Sequence, residues 1–128
     1  MKLLLDTHAF LWLNNDVEQL SETVETLCNA GTHEFYLSMA SAWEMQIKNQ
    51  LGKLTLDTSV EELVNKNRQE NNIQLIPIEL AHISYLKQLP QHHKDPFDRM
   101  IIAQAIMESM TIVSVDRVFI NYDVNVLW

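Results

Sequence analysis

In KLLLDTHAFLWL, residues 2–13, three leucines run into an acid and a hydroxyl at Asp6 and Thr7, after which the chain turns apolar again. The short continuous run KLLLD predicts a buried strand ending in Asp6. AFLWL is too apolar for a loop, so a change from strand to helix is expected at Asp6–Thr7. The same alternation recurs downstream. EFYLS (34–38) reads as a strand, and SMASAWEMQIKNQLG after it carries Ala40, Trp43, Ile47 and Leu51 at spacings of three and four, with Gly52 as terminator. IQLIPI (73–78), TIVSVD (111–116) and VNVLW (124–128) read as further strands.

Helices fill the intervals. Ser21, with Glu22 and Glu25 behind it, opens a helix with Val24, Leu27 and Cys28 on one face and Gly31 as its stop. Ser59 and Glu62 fit a capping box at the head of SVEELVNKNRQEN, which turns Val60, Leu63 and Val64 inward. ELAHISYLKQL has helical spacing, and a last helix is expected from the Asp95 cap to about Met110. Strands alternating with helices predict right-handed crossovers and a mostly parallel sheet covered on both faces. In such folds ligands gather outside the carboxyl ends of the strands, the edge at which Asp6 and Asp116 are expected.

The composition is that of one globular domain. At 128 residues the chain can bury roughly two-thirds of the surface its unfolded form exposes. With 47% hydrophobic residues, two glycines and three prolines, it is neither disordered nor a disulfide scaffold. It has no apolar run long enough to span a bilayer, Asp6 interrupts the leucines before a signal-peptide core forms, and Cys28 has no partner for an internal disulfide. A cytosolic protein is expected. The net charge of −8 is unusual for a protein that lives by phosphate contacts, unless the acids are grouped around divalent cations that reverse the local field.

HHKDPFDRMIIAQA (92–105) carries two acids three residues apart. Asp95 before Pro96 is a helix N-cap followed by proline at the first helical position. Asp98 is then the third residue of the helix, where a carboxylate gains about 0.3–1 kcal/mol from the macrodipole, or else faces a pocket. Glu44 has two readings as well: an i,i+4 ion pair with Lys48, or an acid at the border of the buried stripe turned toward the sheet edge. Oxygen ligands in this number suit Mg²⁺ or Mn²⁺, which can activate water and stabilise a phosphodiester in transit. Rival chemistries lack their motifs. There is no GxxxxGK[ST], GxGxxG or HExxH, and no nucleophile elbow around Ser38 or Ser41. His92 and His93 read as solvated loop residues, and Met100, Met107 and Met110 as core packing.

Taken together, LLLDTHAFLW, SAWEMQIKNQLGKL, HHKDPFDRMIIAQA, VSVDRVF and the C-terminal VLW resemble the PIN-domain toxins of bacterial toxin–antitoxin modules, the VapC family. The resemblance spans nearly the whole chain, and its force lies in five pieces in the right order. It implies a single PIN domain over 1–128 with a three-layer α/β/α sandwich. It also implies a metal-dependent endoribonuclease in which Asp6, Glu44, Asp98 and Asp116 surround Mg²⁺ or Mn²⁺. Thr7 and Ser114 would orient ligands or water, Ser114 standing where many relatives have Thr. The partners implied are an RNA substrate and a cognate antitoxin, in a homodimer or a toxin–antitoxin hetero-oligomer, with no membrane. Lys48, Lys53, Lys94 and Arg99 are candidates for phosphate contacts, or else solvated side chains and partners of nearby acids. Two alternatives are a receiver-like signalling module and a catalytically silent PIN scaffold. A receiver needs adjacent acids after its first strand, where this chain has DTH.

Overall fold

The computed structural model describes residues 1–128 as five strands and six α-helices. In chain order these are β1 (Lys2–Leu5), α1 (Thr7–Asn15), α2 (Glu22–Ala30), β2 (Glu34–Ser38), α3 (Met39–Gln50), α4 (Val60–Glu70) and β3 (Ile73–Ile76). They continue with α5 (Leu80–Tyr85), α6 (Pro96–Met107), β4 (Thr111–Val113) and β5 (Val126–Leu127). The strands form one sheet in the order β3-β2-β1-β4-β5, every pair parallel.

Alternation along β1 builds the three layers. Leu3 and Leu5 enter a core with Ala9 and Phe10 of α1, Val24 of α2 and Leu63 of α4. Leu4 points the other way, into a core with Ile101, Ile102 and Ala105 of α6, Ile112 of β4 and Phe119. Buried on both faces, the central strands must be nearly all apolar, as LLL is and as TIV is after its Thr111. From β1 the chain builds outward through β2 and β3, then returns to add β4 and β5 on the other side. The direction of growth therefore reverses between β1 and β4, which opens a crevice there at the carboxyl edge.

The expected strands and helices are present, with boundaries moved for local reasons. Asp6 and Asp116 are not strand residues but caps: Asp6 Oδ1 accepts from the Ala9 N–H (2.8 Å), and Asp116 Oδ1 accepts from the Val118 N–H (3.0 Å) at the head of a 3₁₀ turn, Arg117–Asn121. β3 stops at Ile76, before Pro77, which has no N–H for a ladder. The last helix ends at Met107 rather than Met110, because Ser109 adopts φ +56° and the Met110 N–H turns back to the Ala105 carbonyl. At α4 the Ser59 hydroxyl accepts from the Glu62 N–H (3.1 Å), and no return bond from the Glu62 side chain completes a capping box. The α5 segment tightens to a 3₁₀ turn at Leu86–Gln88.

The buried face of α3 differs from the predicted stripe. Ala40, Ser41, Glu44 and Met45 are buried, while Trp43 and Leu51 are 60% and 63% exposed. The helix is rotated by about one residue, so that an acid rather than a tryptophan faces the sheet.

Ile112 lies at the centre of the sheet without exposed surface, whereas Leu80 on α5 is 78% exposed. Urea unfolding should show Ile112→Ala losing about 2–5 kcal/mol, and Leu80→Ala staying within about 0.5 kcal/mol of the parent.

Candidate active site

Four segments meet at the carboxyl edge. β1 delivers Asp6 into the turn before α1, where its N–H extends the β1–β4 ladder to the Val113 carbonyl (3.1 Å). While Oδ1 caps α1, Oδ2 accepts from the Ser114 hydroxyl at 2.5 Å. Ser114 Oγ in turn accepts from the Asp116 N–H at 3.0 Å. One hydroxyl thus fixes the Asp6 carboxylate against the backbone that presents Asp116. Glu44, buried on α3, accepts from the Thr7 hydroxyl on Oε1 and from the Lys48 ammonium on Oε2, both at 2.7 Å. Both sequence readings of Glu44 hold at once: it is ion-paired at i,i+4 and it faces the edge.

Asp95 does what its place before proline predicts, with Oδ1 accepting from the Phe97 and Asp98 N–H groups at 2.8 and 3.1 Å. This frees the Asp98 carboxylate from capping. It lies partly buried toward the other acids, and its carboxyl is pushed up to about 7, first by burial and then by the charges of Asp95, Glu44, Asp6 and Asp116. Burial likewise holds Asp6 above the usual carboxylate range, against the pull of its bonds to Ser114 and Ala9. Lys48 is raised, chiefly by its hydrogen bond to Glu44.

His93 is the residue that the sequence misplaced. It is not a solvated loop residue: its Nε2 stands 2.8 Å from Asp98 Oδ2 and 3.8 Å from Asp116 Oδ2. Nε2 is enclosed, and neither contact is aligned as a hydrogen bond. The His93 N–H donates to the Tyr122 hydroxyl (2.8 Å), which donates to the Pro90 carbonyl (2.9 Å), so the loop is pinned to the 3₁₀ turn after β4. Nδ1 accepts from the Asp95 N–H at 3.2 Å. A neutral ring that accepts on Nδ1 carries its proton on Nε2. His93 therefore presents an N–H to the two carboxylates and is no metal ligand in this tautomer. The only signal in the sequence was its place two residues before a cap whose own N–H needs an acceptor.

Donor atoms of His93, Asp98 and Asp116 lie within 4.8 Å of one another. Asp6 and Glu44 stand outside that group and reach it through their charge on Asp98. The donor set is hard oxygen with an excess of negative charge, which suits Mg²⁺ or Mn²⁺. A separate cavity of about 440 Å³ between Ala105 and Asn125, at the opposite edge of β4, has Asp123 as its one charged residue.

A parallel α/β sandwich with acids gathered at its switch point is a framework for binding cations and phosphates. The chain belongs to the PIN domain family, whose model matches residues 3–125. No curated protein sequence matches it. Its fold is similar to that of VapBC2 from Rickettsia felis bound to a DNA fragment from their promoter, with TM-score 0.75 and 16% identity over 99% of this chain and 98% of that one. FitAcB from Neisseria gonorrhoeae has TM-score 0.65 and 20% identity, covering 98% of this chain and 96% of its own. VapBC-1 from nontypeable Haemophilus influenzae has TM-score 0.67 and 14% identity, covering 99% and 97%. At these identities the likeness speaks for the fold.

The folded chain holds the Asp98 proton more tightly than the unfolded chain does. Its contribution to stability is therefore intact below the ordinary value of 3.8 and is lost as pH rises through about 7. Thermal melts in EDTA should show Asp98→Asn more stable than the parent at pH 8, with the gap closing toward pH 4. A mutant that is less stable at pH 8 would return Asp98 to a helix-dipole role.

Proposed function

We propose that this protein is a Mg²⁺- or Mn²⁺-dependent endoribonuclease, the toxin of a toxin–antitoxin module, which hydrolyses phosphodiester bonds in RNA. The observation that carries this reading is the gathering of acids at one edge: donor atoms of Asp98 and Asp116 lie with His93 within 4.8 Å of one another, Asp6 and Glu44 are buried nearby, and burial and these charges hold the Asp98 carboxyl up at about 7. Acids in a merely structural role would be spread apart or paired. Here Lys48 is the one ammonium in the cluster, and it is bound to Glu44.

Asp6, Glu44, Asp98 and Asp116 would hold the ion, which when bound supplies Lewis-acid stabilisation of the phosphate and a lowered pKa for the attacking water. Thr7 and Ser114 orient the carboxylates of Glu44 and Asp6 by donating to them. His93 stands beside Asp98 and Asp116 with a proton on Nε2, 2.8 Å from the nearer carboxylate oxygen. Because Asp98 must give up its proton to bind a cation, affinity for Mn²⁺ should rise with pH up to about 7 and then level off. Calorimetric titration at several pH values measures this, and a flat profile would count against Asp98 as a ligand.

The partner is an antitoxin, in keeping with the toxin–antitoxin complex among the similar folds, that of Klebsiella pneumoniae. A basic antitoxin side chain reaching the edge would compete with metal for the carboxylates.

Expression without an antitoxin should arrest growth, with new RNA 5′ ends appearing within minutes. Asp6→Asn and Asp98→Asn should each abolish both effects while remaining folded. Asp95→Asn should stay substantially active, since Asn caps about as well as Asp. Full toxicity in a folded Asp6→Asn protein would overturn the assignment.

A further inference from the structure

Beside the acids, on the α1–α3 side, lies a cleft of about 550 Å³ lined by His8, Leu11, Trp12, Met45, Lys48 and Lys53, among others. The cleft and the acid cluster share a wall. Thr7, which donates to Glu44, lines the cleft, as does Lys48, whose ammonium is bound to Glu44. His8, two residues after Asp6, lines the cleft as well.

The cleft concentrates what the rest of the surface lacks. The chain has nine lysines and arginines against seventeen acids, and two of its lysines line this opening, with Asp16 the one acid in the lining. Lys53 is placed by a built turn. Gly52 adopts φ +74°, the Lys53 and Leu54 N–H groups both return to the Lys48 carbonyl (2.9 and 3.2 Å), and the Asn49 amide donates to the Leu54 carbonyl (3.0 Å). The turn folds the chain back over the end of α3 and sets the second lysine beside the first.

Trp12 is also held in place, with Trp128 edge-on to it at 5.6 Å and 62°. The His8 ring is tilted at 44° and 5.8 Å, so neither ring stacks over the other. An aromatic face already fixed by its packing loses little conformational freedom when a planar ligand stacks on it. Aromatic rings beside lysines, next to a candidate phosphodiester-cleaving site, are the elements of single-strand recognition.

We propose that this cleft binds one unpaired nucleotide of the RNA next to the scissile phosphate, its base stacked on Trp12 and its phosphate held by Lys48 and Lys53. This deepens the nuclease reading and rests on it for the identity of the strand. A base held in a duplex cannot reach the Trp12 face, so the substrate is single-stranded at this position.

The test is fluorescence anisotropy of a labelled hexauridylate with the full chain in EDTA, where no cleavage occurs, alongside a cleavage assay of the same strand in Mn²⁺. Lys53→Glu, on an exposed side chain, should weaken binding at least about fivefold, and Lys53→Ala should lower the salt dependence by about one ion. Trp12→Leu should weaken binding about fivefold or more. His8→Ala serves as the second aromatic variant if Trp12→Leu does not fold. An RNA duplex of about twenty base pairs, stable under the assay conditions, should bind at least about tenfold more weakly than the free strand. Unchanged affinity in Lys53→Glu, or equal binding of duplex and single strand, overturns the proposal, including the case in which the variant loses only a protein partner. If the parent cleaves RNA and Lys53→Glu binds normally, the nuclease reading stands and the cleft assignment falls. If the variants lose binding but the parent cleaves nothing, the cleft stands and the nuclease reading falls.

Discussion

The hydrogen bond from Ser114 to Asp6 joins residues 108 positions apart and ties the ends of β1 and β4 together at the crevice. Beside it the Asp6 N–H reaches the Val113 carbonyl, so backbone and side chain together lock the two central strands where their paths diverge. Every other part of the site is placed relative to this junction. α1 starts from Asp6, the Asp116 turn leaves from Ser114, and Tyr122 beyond that turn pins the loop that carries His93. If the junction were apolar, two strands would still pair, but nothing would fix the direction of the acids.

The site is arranged against the fold's own electrostatic interest. Burial penalises the Asp6 and Asp98 carboxylates, and the neighbouring charges raise Asp98 further. The chain offsets this with local donors: the Ala9 N–H and the Ser114 hydroxyl for Asp6, and Thr7 and Lys48 for Glu44. Asp98 has no such aligned donor, only the His93 ring beside it, and it is the acid whose value is moved furthest. The compensation thus falls off from Asp6 and Glu44, which have aligned donors, to Asp98, which has none.

The layers and the strand-to-helix transitions were legible in the sequence because they depend on nearest neighbours: three leucines before an acid, a Ser or Asp before a helix, a proline at its first position. The acids could be singled out for the same reason, since a strand end or a cap is a local address. What was not legible depends on contacts far apart in the chain. The face that α3 buries is set by the bond from Thr7 to Glu44, 37 residues apart, against the pull of Trp43 and Leu51, which a hydrophobic stripe would turn inward. His93 looked like a loop residue because its partners are Tyr122, which closes from beyond β4, and two acids on separate elements. The lysines at 48 and 53 read as isolated charges until the turn at Gly52 set them together.

The placement of β1 at the centre of the sheet also has a temporal side. Asp6 is synthesised well before its neighbour β4, and the hydroxyl of Ser114 follows it 108 residues later. At ordinary rates of translation, about 5–20 residues per second, the first acid waits roughly 5–20 s for the second half of its site. During that interval a nascent chain can form β1, β2 and β3 but has no crevice, because the strand that forms its other wall does not yet exist. The crevice is thus completed only after the β1, β2 and β3 half of the sheet has been made.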